Sequence, residues 1–274
     1  MGDVDGAATA GGIESQHRIS TLEKVNGIGL NINTMGNGKP LLLMHGLGGD
    51  CRQLDIIANP LSKHFKTIAF DMRGHGKSEK PAEYTLQDHI NDVLGIMDLY
   101  NIEKASLLGV SMGSYIAQGV AVAAPERIEK LILTVPKSNG LTSSVQILFK
   151  EHAEEIKGKD FHETILTLLK YLVYNTEIMQ HHLDVFESDL TPEQFAAANK
   201  ALTNFDFRND LSSITAPTLI ISGKYDSLNP PKDGQEIAAL IPNASFKEMQ
   251  YSGHAPIYEE AERYLKLVED FLFD

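Results

Sequence analysis

Short apolar runs alternate with segments of helical spacing along most of this chain. His17 to Lys24 and Ile28 to Thr34 flank Asn26-Gly27, a dipeptide that favours a two-residue hairpin turn. The pattern predicts antiparallel strands over Ile19–Lys24 and Leu30–Thr34. After the turn Gly36-Asn37-Gly38, Leu41–Met44 reads as a fully buried strand, and a helix follows through about Ser62. Thr67–Phe70 is the next buried strand. Leu86 to Tyr100 carries Ile90, Val93, Leu94 and Met97 at helical spacing. The strand Ala105–Leu108 leads into Gly109-Val110-Ser111-Met112-Gly113, a helix spans Met112–Ala123, and Leu131–Val135 is again a strand. Alternating strands and helices predict a parallel sheet covered on both faces.

That rhythm breaks near Asn139. From Leu141 to Phe207 the signals are helical only. Ile165, Leu168, Leu169, Leu172 and Val173 mark one apolar face, with Asp160 and Glu163 as a capping pair. Thr191-Pro192-Glu193-Gln194 is a second capping box with Pro at the first helical position. The βα pattern resumes at Thr218–Ile221, followed by a helix over Pro231–Leu240, a strand over Ser245–Met249 and a helix over Ala255–Leu272. The expected organisation is an α/β core in residues 17–139 and 208–274, with residues 140–207 as an all-helical cap over the sheet's carboxyl edge. Residues 1–16, rich in Gly, Ala and Asp without periodicity, are expected to be a disordered tail outside the fold.

Composition narrows the function classes. A formal charge of −13 in 274 residues argues against nucleic acid, since phosphate binding needs clustered Lys and Arg. It argues mildly against an anionic membrane surface, and no stretch approaches a membrane span. Cys51 is the only cysteine, so no intrachain disulfide can form and a Cys-based metal site is not expected. A reducing, cytoplasmic location fits.

The chemistry centres on Ser111. Gly-x-Ser-x-Gly between a strand and a helix is the sequence form of a sharp turn that pushes a serine hydroxyl out of the sheet, and side chains at the two glycine positions would crowd it. A serine hydroxyl needs a base, and the base needs a group that orients it. Asp226 and His254 each follow a strand, in Gly223-Lys224-Tyr225-Asp226 and Ser252-Gly253-His254; the plain alternatives are a helix-capping acid and a surface-loop histidine. His45 is expected to fix a turn through backbone hydrogen bonds, and the adjacent His181-His182 fits a solvated helix face better than a metal pair. A developing oxyanion needs preorganised donors, and the main-chain N–H groups of Met112 and Leu47 are the candidates. Gly46-Leu47-Gly48-Gly49 lacks the Lys-Ser/Thr ending of a P-loop and the dinucleotide fingerprint spacing, so a phosphate cradle is weakly supported.

His45-Gly46-Leu47-Gly48-Gly49, Asp71-Met72-Arg73-Gly74-His75-Gly76-Lys77-Ser78, the serine turn, Gly223 to Asp226 and Gly253-His254 together resemble the motif set of the α/β-hydrolase family, from about Ile19 to the C-terminus. The resemblance implies an eight-stranded, mostly parallel sheet, a Ser111–Asp226–His254 triad and an oxyanion hole from Leu47 and Met112, with no cofactor and no metal. It is nearest the carboxylesterase and enol-lactone hydrolase branch. Serine at the turn argues against haloalkane dehalogenases and epoxide hydrolases, which carry aspartate there. Asp71 and Arg73 match a segment that is structural in the family. The resemblance implies hydrolysis of a small-molecule carboxylic ester or lactone through an acyl-enzyme. It leaves open cofactor-free perhydrolase or haloperoxidase activity, carbon–carbon bond hydrolysis, and a slow-turnover small-molecule receptor. Ile147, Phe149, Leu168, Leu172, Met179 and Phe186 are the apolar candidates for the pocket wall. The expected assembly is a monomer or homodimer without nucleic acid or membrane partners.

Overall fold

In the computed structural model, which describes residues 17–182 and 188–274, one eight-stranded sheet organises the chain. Its strands are β1 Ile19–Val25, β2 Ile28–Met35, β3 Lys39–Met44, β4 Phe65–Phe70, β5 Ala105–Val110, β6 Ile128–Thr134, β7 Thr218–Gly223 and β8 Ala244–Met249. The spatial order is β1-β2-β4-β3-β5-β6-β7-β8. β2 is antiparallel to both of its neighbours, β1 and β4, and the other pairs are parallel. Val25 pairs with Ile28 across Asn26-Gly27, where both turn residues take positive φ (49° and 86°), as a tight primed hairpin requires. The expectations for residues 1–16, for the Met179 side chain and for Phe186 lie outside the described residues.

The continuous apolar runs are explained by burial on both faces. Leu42 and Met44 of β3 point into one core with Leu107, Leu131 and Ile220, against the helices over Leu86–Leu99, Met112–Ala123 and Pro231–Leu240. Leu41 and Leu43 point the other way, into a second core with Leu108, Ile132 and Leu219, closed by the helices over Asp55–Leu61 and Ala261–Phe273. No helix among the described residues is long and apolar enough to cross a membrane.

Between β6 and β7 every regular element among the described residues is helical, chiefly Ser144–Glu151, Ala153–Ile156, Phe161–Leu169, Thr176–Gln180 and Pro192–Ala201. Both capping boxes form, Asp160 with Glu163 and Thr191 with Gln194. The chain leaves and re-enters the core at one place. Asn139 bridges Asp206, Gly140 N–H donates to Phe205 O (2.8 Å) and Phe207 N–H to Ser138 O (3.0 Å).

Two expectations need correction. The single helix expected over Ala255–Leu272 is two, Pro256–Glu259 and Ala261–Phe273, broken at Glu260 (φ −132°, ψ 50°). The acids at the break are held elsewhere: Glu260 accepts the Tyr251 N–H and the Ser252 hydroxyl, and Glu259 accepts the Gly253 N–H. His181 and His182 lie in a turn beyond Thr176–Gln180 rather than on a helix face, since His181 N–H closes a tight bond to Ile178 O (3.2 Å). The His182 ring packs against Tyr258, centroids 4.8 Å apart.

Candidate active site

Ser111 joins β5 to the helix Met112–Ala123 with φ 52° and ψ −118°, a conformation that non-glycine residues adopt only where the surroundings enforce it. Its N–H donates to Thr134 O on the neighbouring strand (2.9 Å), and its carbonyl accepts the N–H of Ser114 (2.8 Å) and the Ser114 hydroxyl (2.6 Å). The glycines are needed sterically. A β-carbon on Gly109 would lie 2.1 Å from Gly113 O, and one on Gly113 would lie 2.2 Å from Met44 O.

His254 reaches this serine from 143 residues away, with Nε2 2.8 Å from Ser111 Oγ and Nδ1 2.8 Å from Asp226 Oδ2. The carboxylate can only accept, so the tautomer follows: Nδ1 carries the proton and Nε2 is free to accept from the hydroxyl. Asp226 is fixed through its other oxygen, Oδ1, which accepts the N–H groups of Leu228 (2.9 Å) and Asn229 (3.0 Å). An imidazole oriented in this way can take the serine proton as an oxygen–carbon bond forms.

The loop after β3 lies against the serine: a β-carbon on Gly46 would stand 3.6 Å from Ser111 Cβ. His45 holds that loop. Its buried Nε2 accepts the Met72 N–H (2.9 Å), so Nδ1 donates to Gly46 O (2.7 Å). Burial lowers its pKa and keeps the ring neutral. Neither Leu47 N–H nor Met112 N–H donates to a protein acceptor among the described residues. The Met112 N–H is one of the unpaired donors at a helix start, at its positive end.

Asp71 and Arg73 are structural, as expected. Asp71 accepts the N–H groups of Cys51 (2.9 Å) and Lys77 (2.8 Å) and the Asn31 side-chain amide (2.9 Å). Although burial opposes its charge, hydrogen bonding from Cys51 and from the Lys77 N–H holds its pKa below the usual aspartate value. Arg73 forms a bidentate pair with Asp92 at 2.8 Å on both arms. Asp50, Cys51 and Asp71 bring possible ligand atoms within 4.8 Å of one another. A metal there would have to displace the donors on Asp71 and the Arg52 contacts on Asp50.

A cavity of about 180 Å³ opens above Ser111 and His254. Leu148, Phe149, Leu168, Leu172 and Phe195 of the helical insertion face Val110, Leu228 and Ile257 of the core across it. Ile147 was expected on this wall but is 47% exposed. Val145, Leu148 and Phe149 form the inward i, i+3, i+4 face of their helix, which turns Ile147 away.

Sequence reasoning did not single out Tyr115, Asn229 or Glu259. Asn229 is fully buried, and its amide donates to Tyr115 Oη (2.5 Å) and Val135 O (2.8 Å). Glu259 accepts the N–H groups of Tyr174 (2.6 Å), Asn175 (2.8 Å) and Gly253 (2.8 Å), tying the histidine loop to the insertion. No local pattern distinguishes these polar residues from surface ones; only a charge five positions past His254 offered a hint.

The profile of the alpha/beta hydrolase fold matches residues 39–164. The chain is 30% identical to a 2-hydroxy-6-oxononadienedioate/2-hydroxy-6-oxononatrienedioate hydrolase of Paraburkholderia phymatum, covering 93% of this chain and 94% of that protein. It is 28% identical to a 2-hydroxymuconate semialdehyde hydrolase of Pseudomonas putida, over 88% of this chain and 90% of that one. The crystal structure of the enol-lactonase from Burkholderia xenovorans superposes with a TM-score of 0.82 at 29% identity, covering 93% of this chain and all of that one. With the sheet order, the serine turn and this likeness over nearly its whole length, the chain belongs to the α/β-hydrolase family.

Proposed function

We propose that this protein is a serine hydrolase that cleaves a small carboxylic ester or lactone through an acyl-enzyme. The observation that carries the reading is His254, which bridges Ser111 Oγ and Asp226 Oδ2 at 2.8 Å on each side beneath an apolar cavity. Ser111 Oγ attacks the carbonyl carbon while its proton passes to His254 Nε2, and the charge on Nδ1–H is balanced by Asp226. The carbonyl oxygen becomes an oxyanion facing the N–H groups of Leu47 and Met112. His254 then protonates the leaving alcohol oxygen as the carbon–oxygen bond breaks. A water, deprotonated by the same imidazole, releases the acid and restores Ser111. Residues 140–207 act as the cap that supplies the upper wall of the pocket. A cytoplasmic enzyme fits the single cysteine.

The test is Ser111→Ala on short p-nitrophenyl esters, with fluorophosphonate labelling of the wild type. Loss of turnover in a folded variant and labelling at Ser111 are expected; near wild-type turnover by Ser111→Ala would refute the reading. A second reading is favoured by the two relatives named for 2-hydroxymuconate semialdehyde and 2-hydroxy-6-oxononadienedioate. Neither compound contains an ester, so its hydrolysis breaks a carbon–carbon bond. Turnover of a vinylogous 1,5-diketone acid in preference to any ester or lactone would favour it.

A further inference from the structure

We infer that Lys137 is a specificity-determining residue that binds an anionic group, such as a carboxylate, on the acyl part of the substrate. The inference rests on the serine-hydrolase reading and adds to it a substrate class.

Lys137 follows β6, whose end pairs Thr134 with Val110 beside the serine turn. Its side chain lines the cavity over Ser111 and is the only Lys or Arg among the described residues that does. The ammonium stands 5.6 Å from the centroid of the Tyr115 ring, and Tyr115 is one helical turn past Ser111. Two of its protons are used, on Thr142 O (3.1 Å) and Ser144 Oγ (3.3 Å), which leaves the third. Both acceptors are neutral. No carboxylate among the described residues lies within ion-pair distance of it, and none lines the cavity. Asp233 acts on it through space only, from beyond that distance.

This is an odd place for a lysine with a merely structural task. The chain carries 37 acidic residues against 24 Lys and Arg, so a partner carboxylate was abundantly available. Burial lowers the Lys137 pKa, and the distant Asp233 offsets only part of that. An incoming carboxylate would supply a counter-ion. Asn199 offers a further donor on the same wall: its Oδ1 accepts the Ser143 hydroxyl (3.4 Å), which turns the amide NH₂ away from that bond. The cavity therefore has Ser111 and His254 at its floor, apolar walls, and a patch of donors led by one cation. That arrangement fits an acyl chain that ends in an anion.

The test compares matched substrates: p-nitrophenyl pentanoate and hexanoate against the mono-p-nitrophenyl esters of glutarate and adipate, in which a carboxylate replaces the terminal methyl. Wild type should prefer the half-ester at one of the two lengths. Lys137→Met should lower the anionic-to-neutral ratio of kcat/KM about tenfold to a hundredfold, the range for a hydrogen bond to a charged partner. The change should fall in KM. Lys137→Arg should retain most of the ratio and Lys137→Glu should invert it. Calorimetric titration of Ser111→Ala with the same esters reads the ratio without turnover. An unchanged ratio in Lys137→Met, with or without an equal loss on both substrates, would overturn the inference and leave Lys137 a loop support. If wild type neither turns over any ester nor labels with fluorophosphonate, the serine-hydrolase reading falls, and the calorimetric ratio still decides on Lys137.

Discussion

Replacing Asp226 by Asn changes one atom, and the surrounding hydrogen bonds decide what that atom does. Oδ1 of Asp226 accepts two main-chain N–H groups, from Leu228 and Asn229, whereas Oδ2 accepts one proton, from His254 Nδ1. An asparagine amide has one acceptor end and one donor end. With its oxygen toward the two N–H groups it keeps both bonds and presents NH₂ to the imidazole. The reverse orientation sets NH₂ against two buried donors, each costing about 1–3 kcal/mol, so the first is preferred by roughly 2–6 kcal/mol. His254 can answer an NH₂ group by moving its proton to Nε2, a shift its ring makes readily. Nε2–H then donates to Ser111 Oγ and can no longer accept from it. The expected loss in kcat is about 10⁴-fold, with little change in KM because the cavity wall is untouched. Thermal unfolding should show a drop of about 2–12 °C, since about 1–3 kcal/mol is at stake and each kcal/mol moves Tm by about 2–4 °C in a chain of this size. Asp226→Asn within tenfold of wild type on p-nitrophenyl esters would show that the tautomer is not set here and would refute the reasoning.

Two further expectations concern the frame around the site. Asp92 is 1% exposed and holds Arg73 in a bidentate pair; Asp92→Leu should cost about 3–5 kcal/mol by stranding a buried guanidinium, read as a lower urea midpoint, and Arg73→Met in the same chain should recover part of it. A midpoint unchanged by the single substitution would show that the pair contributes nothing net. His45, His75 and His89 are buried with pKa values lowered by desolvation, His75 to about 3. An unfolded histidine titrates near 6.5, so as pH falls through that value the unfolded chain takes up protons that the folded one does not. Their contribution to stability is full above about pH 6.5 and falls as pH drops, by up to about 1.4 kcal/mol per pH unit for each group. His89→Leu removes an imidazole with no hydrogen-bond partner on either nitrogen among the described residues, so Tm measured from pH 8 to pH 5 should fall less steeply than in wild type; parallel curves would refute the assignment.

What could be read from the sequence depended on how local its cause is. Asn26-Gly27 and Gly109 to Gly113 are dictated by backbone geometry within a few residues, and both turns form where expected. The same holds for the capping boxes at Asp160 and Thr191. Asp226 and His254 could be found because each follows a strand by a short, fixed interval. Asn229 escaped because its partners, Tyr115 Oη and Val135 O, are 114 and 94 residues away. The facing of Ile147 escaped because an eight-residue helix with apolar residues on more than one side does not declare which side the core will cover. The break at Glu260 escaped because the bonds that cause it run to Tyr251 and Ser252 across a loop.

Those non-local bonds bear on how the two parts of the site cooperate. His254 is oriented from the core by Asp226, yet its own N–H donates to Leu172 O in the helical insertion (2.5 Å). Glu259 then ties Gly253, beside the histidine, to the N–H groups of Tyr174 and Asn175. The Ser227 hydroxyl, one residue past Asp226, donates to Tyr171 O (2.7 Å). Residues 171–175 thus touch the loops of both His254 and Asp226, while Leu172 and Val173 among them line the cavity with the neighbouring Leu168 and Leu169. A change in this turn that alters the pocket also pulls on the imidazole. Since a misplacement of about 1 Å at a reacting group costs on the order of 10²-fold in rate, substitutions in residues 171–175 act on kcat together with KM, whereas those on the far wall at Phe195 act on KM. Under the proposed reading the insertion both selects the substrate and sets the position of His254.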